Sequence, residues 1–437
     1  VLFHSVAHDK CGEAEYDTHA MTADHASVGL LRHPAFVRFL YVRVAASVAL
    51  QIQVVAVGWQ MYALTGNPFY LGLIGLVQFV PVFALFPLTG HVADRYDRRI
   101  VTFIGEAVEA LAVAVLAVAS AMGRLTPDLL LAMAFVVGSG RAFEQPSVQS
   151  VLPNIVPAGM LPRAVASSTS ASQAAVVAGP ALGGFLIGVS PTLVFTVCAV
   201  IWLSAGFVML GIVVERTVVP RSPVNLTTMF SGVSFIVRHR ALLGAVLLDL
   251  FSVLLGNATA VLPIFARDIF STGPLGFGLL RAAPAAGAIM TALTLARWPI
   301  RAHLGRVMFT AVAIFGIGTI MLALAPNFAL AAAAMFVVGA SDSISVVIRQ
   351  TMVQIRTPDA MRGRVYAVNS MITITSNQLG DFRAGTAAAL FGTVASVLIG
   401  GCSIIAIVLI STKIFRELLH ADSYEIAAPR PDPKPEP

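Results

Sequence analysis

The sequence predicts an all-α integral membrane protein of about twelve transmembrane helices, arranged as two parallel six-helix repeats. Three observations carry that expectation. Of the 437 residues, 57% are hydrophobic and 11% charged, against about 45–50% and about 25% in a soluble globular domain, and mean hydropathy is +0.85. The arginines collect on alternate connections between long apolar runs. A string of residues in the first half returns in the second at a fixed offset of 201 positions.

Residues 1–33 are polar, with acids and histidines and no apolar core of signal-peptide length, and read as a cytoplasmic N-terminal tail. Val1 is an unusual first residue, which makes Met21 a candidate initiator. His4 and His8 have helical spacing, but no Glu follows His4 as a zinc-protease helix requires.

A membrane helix needs about 20 apolar residues. Runs of that kind lie at approximately 36–63, 69–90, 100–121, 128–151, 164–188, 192–214, 241–266, 275–297, 305–325, 327–352, 364–388 and 393–414. Turn residues split adjoining runs, as at Thr65-Gly66-Asn67-Pro68. With a cytoplasmic N-terminus, the inner connections hold arginines from Arg95 through Arg163, Arg238 and Arg306 to Arg364, and the outer ones only Arg124 and Arg267. This positive-inside alternation stays clean to Lys413 and Arg416, so both termini are expected in the cytoplasm. The net charge of +6 therefore reads as topology rather than a nucleic-acid surface.

The longest polar interruption, around 215–240, separates a six-helix unit at 34–214 from another at 241–416, and a Pro-rich tail at 417–437 ends the chain. Phe135-Val136-Val137-Gly138 recurs as Phe336-Val337-Val338-Gly339; in the same ungapped frame Gln149 meets Gln350, Arg163 meets Arg364, Gly179 meets Gly380 and Gly184 meets Gly385. An even number of spans per unit gives both units one orientation, as in transporters whose halves rock about a midplane site.

Ionisable groups inside the runs cost about 2.5–3.5 kcal/mol at the bilayer centre and usually face a cavity or a partner. Asp249, Asp342, Glu144, Arg141 and Asp381 are the proton-coupling candidates, with a structural ion pair as the competing reading for each. Arg141 and Glu144 are spaced to pair along one helix, and Glu106 and Glu109 have the same spacing in the third run. Gln53, Trp59, Gln60, Gln78, Gln173, Asn257 and Asn377 are candidates for lining a substrate cavity. Gln51 and Gln53, two positions apart, cannot closely share one helix face, so one of them is free to bond to a neighbouring helix. Cys198 and Cys402, within apolar runs, are expected as packed thiols; neither a disulfide framework nor a metal site follows.

Gly90-His91-Val92-Ala93-Asp94-Arg95-Tyr96-Asp97-Arg98-Arg99 follows the second run. It serves as an ordinary positive-inside loop, and it also resembles the G-x-x-x-D-R-x-x-R-R signature of the major facilitator superfamily. The resemblance spans about residues 30–420. It is closest to the drug-proton antiporter branch that includes enterobactin exporters and transmembrane secretion effectors, through Val55-Ala56-Val57-Gly58-Trp59-Gln60, Leu262-Pro263-Ile264-Phe265-Ala266-Arg267-Asp268 and Ser376-Asn377-Gln378-Leu379-Gly380. Gly179, Pro180, Gly183 and Gly184 are similar to the core of the antiporter motif on helix five, although Ala166 and Ala175 replace its upstream glycines. The resemblance implies a conformational latch at Gly90, Asp94, Arg95, Asp97, Arg98 and Arg99, and proton-driven export of siderophores, drugs or other amphipathic molecules. Arg383 stands where the branch has an acid, which puts substrate charge preference or a coupling site in question.

The expected partners are a small-molecule substrate, protons and the lipid bilayer of a bacterial inner membrane, without cofactor, metal or nucleic acid, in a protein functional as a monomer. An ATP-driven pump is excluded because no lysine lies in G-x-x-x-x-G-K-[ST], and no H-E-x-x-H or G-x-S-x-G suggests an enzyme. A proton symporter and a non-transporting scaffold on the same fold are the alternatives.

Overall fold

The computed structural model describes residues 29–213, 226–300 and 302–420, which form helices and connecting turns with no strand among them. Residues 1–28 and 421–437 of the expected tails and the first part of the central connection lie outside the described residues.

Twelve helices correspond to the twelve apolar runs. The first six are α1 (Pro34–Thr65), α2 (Pro68–Arg95), α3 (Arg98–Ala121), α4 (Pro127–Val151), α5 (Leu161–Val189) and α6 (Pro191–Leu210). The second six are α7 (Arg240–Gly256, continued irregularly to Ile269), α8 (Gly273–Arg297), α9 (Leu304–Leu324), α10 (Phe328–Arg356), α11 (Asp359–Phe391) and α12 (Thr393–Ile414). Local chemistry starts several of them. Pro at the first turn opens α1, α2, α4 and α6, where its missing N–H is harmless. The side chains of Asn67, Asp97, Thr126 and Asn327 cap α2, α3, α4 and α10.

Ten segments among the described residues are long and apolar enough to cross a membrane. The other two, α4 and α11, carry the charges Arg141, Glu144, Asp381 and Arg383, and they pack among the apolar helices. Between the halves, the segment Leu226–Arg238 forms an additional helix where the sequence suggested only a polar connection. It buries Ile236 and brings Gly232 so near α11 that a Cβ there would lie 2.9 Å from the Arg364 carbonyl oxygen.

The packing repeats as the sequence does. In the first half α1 packs on α5 and α6, α2 on α4, and α3 on α4 and α6; in the second, α7 packs on α11 and α12, α8 on α10, and α9 on α10 and α12. Two seams join the halves, α5 with α8 and α2 with α11, and the repeat exchanges one seam for the other. Gly184 and Gly385, which meet in the 201-residue frame, sit one in each seam. A Cβ on Gly184 would lie 2.5 Å from the Pro274 carbonyl oxygen, and one on Gly385 2.5 Å from the Gly72 amide nitrogen. Only glycine permits such close approach of two backbones.

Both seams lie toward the end remote from the arginine-rich connections. At that far end one apolar core runs through both halves, including Ile52, Met61, Ile187, Phe265, Phe277 and Ala384. Toward the basic end the core divides, with one cluster around Phe36, Phe39 and Met209 and another around Leu242, Met308 and Met352. The halves are therefore closed together at the far end and separately packed at the basic end.

Candidate functional site

The seventh apolar run reads as one span but is broken within the membrane. After Gly256 the helix stops at Asn257, passes through a 3-10 turn at Thr259–Val261 and resumes irregularly through Pro263. The Asn257 side-chain oxygen accepts the Thr259 amide at 3.0 Å, replacing a helical bond with a local one. The carbonyl of Asn257, released by the break, accepts from Arg383 Nη2 at 2.9 Å. Arg383 thus has a structural explanation at this position, since it satisfies backbone that the break would leave orphaned. Asp381, two residues earlier on α11, accepts Asn257 Nδ2 at 2.9 Å, and its Oδ1 lies 2.9 Å from the Thr259 hydroxyl.

This break borders a cavity of about 210 Å³ between the halves. From the first half Gln51 and Gln53 on α1, Gln78 on α2 and Arg141 on α4 reach it; from the second come Thr259, Arg281 on α8, and Gln378 and Asp381 on α11. Apolar wall is supplied by Val54, Val57, Leu71, Ile74 and Phe277. Gln53 also accepts a hydrogen bond from Trp202 Nε1 at 3.3 Å, so it is the glutamine that ties α1 to a neighbouring helix.

A second cavity of about 130 Å³ lies within the second half, lined by Asn257, Asn377, Asp342 and mostly apolar groups. A small recess beside it holds Asp249, Ser252, Asp342 and Ser345. Asp249 pairs with Arg349 on α10 at 3.1 Å, the two side chains being 3% and 1% exposed. Arg349 also donates to Asn369 and reaches Thr373 at 3.4 Å, joining α7, α10 and α11. In the first half Glu106, Glu109 and Glu144 are buried around the α3–α4 contact, where Gly105 and Gly140 lie back to back. The anticipated pairing of Arg141 with Glu144 does not form: Arg141 faces the cavity between the halves, and Glu144 lies against Gly105 on α3.

Three of the candidate cavity residues lie elsewhere. Trp59 stacks on Phe277 across the halves, with ring centroids 6.4 Å apart; Gln60 is half-buried away from the cavity wall and Gln173 is exposed on α5. Gly179 packs on Gln51, Gly183 on Ile52, and Pro180 lies within α5, its carbonyl against Gly278. Cys198 is buried as expected, whereas Cys402 is exposed on α12. Thr259 was not anticipated from the sequence. The short spacing Asn257-Ala258-Thr259 ahead of Pro263 was the available signal.

At the basic end Asp97 caps α3 by accepting the Arg99 amide at 3.0 Å and holds the Arg99 guanidinium at 2.7 Å. Arg98 donates to the Ser150 carbonyl near the end of α4, and Arg99 to that of Ile212 just beyond α6. Cations there satisfy terminal carbonyls and suit the helix dipole. Arg95 is exposed, and Gly90 and Asp94 belong to α2, but the Asp94 side chain lies outside the described residues. At the far end the Tyr62 hydroxyl donates to Asp268, and Arg267 donates to the Tyr62 carbonyl at 3.1 Å while lying over its ring.

The comparisons with known proteins agree with this architecture. The family description for transmembrane secretion effectors matches residues 25–436. The chain is 26% identical to the uncharacterized MFS-type transporter YfiS of Bacillus subtilis, over 80% of this chain and 85% of YfiS. It is 24% identical to the enterobactin exporter EntS of Escherichia coli K12, over 90% of this chain and 94% of EntS. It is 23% identical to macrolide efflux protein A of Streptococcus pyogenes, over 53% of this chain and 58% of that protein. A bacterial homologue of the lysosomal transporter Spinster, solved inward-facing and occupied, superposes with a TM-score of 0.69 at 13% identity, over 88% of this chain and 97% of that one. Helix order, repeat and family match together place this membrane chain among the transporters of the major facilitator superfamily, in its transmembrane secretion effector family.

Proposed function

We propose that the protein exports a small amphipathic molecule, of siderophore or drug-like size, in exchange for protons by alternating access. The observation that carries this is the polar cavity at the broken helix α7, enclosed at the far end by the shared core and lined from both halves. Efflux proteins among the relatives support the outward direction. The basic end faces the cytoplasm of a bacterial inner membrane with both termini on that side, and the unit that works is a monomer. The halves at 34–214 and 241–416 move about the connection at 215–240.

In this reading the structure is the inward-facing state. Substrate enters from the cytoplasm, the far-end seams part, and the Asp97–Arg99 loop with Asp94 latches the basic end when the far end opens. A proton taken up outside resets the cycle. Because a ligand shifts such an equilibrium only through differential affinity for its states, proton and substrate must favour different ones. Asp342 and Asp381 are the carriers we favour, since Asp342 borders the second cavity with no ion-pair partner among the described residues and Asp381 borders the central one. Asp249, committed to Arg349, and Glu144 are the reserve candidates.

Flux in proteoliposomes containing a pH-sensitive dye, under an imposed proton gradient, tests the reading with a catecholate siderophore and a lipophilic cation as substrates. Substrate and proton moving in opposite directions is the expected result, lost in the Asp342→Asn, Asp381→Asn double variant. Movement in one direction together would establish a symporter instead, and coupling that survives in the double variant would sink the assignment of carriers.

A further inference from the structure

The wall of the central cavity carries more positive than negative charge, two arginines against one carboxylate. Arg141 enters from the first half and Arg281 from the second, each half-buried. No carboxylate among the described residues lies within ion-pair distance of either, and the buried Nε of Arg281 has no hydrogen-bond partner. Asp381 is the one acid on the wall, and its Oδ1 is already committed to Asn257 and Thr259. The four glutamines that complete the polar wall carry no charge. A guanidinium drawn away from bulk water without an anion is costly, and two facing one space repel a third cation.

We propose that Arg141 and Arg281 form an anion-binding subsite that receives an acidic head group, such as a carboxylate, of the exported molecule. Guanidinium forks match planar oxyanions with paired charge-assisted hydrogen bonds. At about 210 Å³ the cavity is smaller than the roughly 300–1,000 Å³ of sites that enclose a drug-sized ligand. It therefore takes the head group, and the apolar remainder of the ligand extends along the separated halves toward the basic end. Because one arginine comes from each half, a bridging anion also draws the two halves together, and its binding is sensitive to their opening.

This assignment deepens the export reading and is tested by binding alone, without a gradient. Purified protein in nanodiscs is titrated with 1-naphthoate, 1-naphthamide and 1-naphthylmethylammonium, which share one ring and differ in charge, with binding followed by protein fluorescence. Naphthoate is expected to bind at least about ten-fold tighter than the amide, the ammonium weakest of all. Arg141→Gln or Arg281→Gln should erase the preference for naphthoate over the amide, and the Lys variants should keep part of it. Equal binding of the three by the unaltered protein, tighter binding of the ammonium, or no naphthoate binding at millimolar concentration would overturn the subsite, whether or not any variant folds. Selective naphthoate binding in a protein that moves no substrate would instead count against export and leave the subsite standing.

Discussion

In the second half, Asp249 and Arg349 face each other at 3.1 Å inside the bundle, with Asn369 completing the guanidinium's contacts. In the first half the corresponding depth holds Glu106 and Glu109, 0% exposed, whose carboxyl oxygens have no hydrogen-bond partner among the described residues. Its arginine, Arg141, has gone to the cavity between the halves, and the residue equivalent to it in the repeat is Asp342. Helix packing repeats almost unchanged between the halves, while the placement of charge does not. Packing is set by many small contacts on each face, so it resists change one residue at a time. A buried charge depends on one or two partners, so it can be reassigned by a few substitutions. The second half locks Asp249 and Arg349 together, whereas the first turns its arginine toward the cavity between the halves.

The sharpest way to break this contrast is to remove one charge from the locked pair. Asp249→Ala should leave Arg349 buried and unpaired and cost about 3–5 kcal/mol, whereas Asp249→Leu combined with Arg349→Met should recover most of the loss. Thermal unfolding in detergent measures both; equal damage from the single and double changes would mean the pair is not the source of stability. Next come the seams. Gly184→Val and Gly385→Val each force a side chain into backbone contact, with an overpacking cost of about 1–3 kcal/mol, and should shift the protein toward far-end opening. Spin-label distances across that end should lengthen in both variants, and a response in one alone would show that the seams are not equivalent.

Smaller effects sharpen the view of the first half. Glu106→Met removes a buried group without a partner and should raise stability by about 1–2 kcal/mol. A loss of stability would place an unrecognised partner beside it. Tyr62→Phe removes the far-end hydrogen bond to Asp268 and should favour opening by about 1 kcal/mol, read as a few-fold faster labelling of a cysteine introduced at the far-end cavity wall. An unchanged labelling rate would leave that contact without a gating role.

The fold was legible because length, hydropathy and arginine placement report on the bilayer, and the bilayer imposes them on every span. The break in α7 was hidden for the same reason, since the run around Asn257 stays apolar throughout and only the Asn257, Thr259 and Pro263 spacing marks it. The site was read less completely. Gln53, Gln78, Arg141 and Asp381 reach the cavity, but Trp59, Gln60 and Gln173 point elsewhere, because a helix apolar on all sides reveals little about its rotation. Arg281 is a charged residue within the eighth apolar run, and nothing in its neighbours along the chain places it opposite Arg141. That juxtaposition belongs to the closure of two halves far apart in sequence.

The exchange of α5·α8 for α2·α11 under the repeat has a consequence for how the molecule was able to diverge. Two equivalent contacts related by a two-fold axis are the interface of a symmetric dimer, and here that interface has been enclosed within one polypeptide. In a dimer, any substitution at such a contact appears twice. In the fused chain Gly184 and Gly385 can be altered independently, so one edge of the closure can be loosened while the other is kept as a pivot. Within one polypeptide the two edges of such a joint can thus be tuned separately.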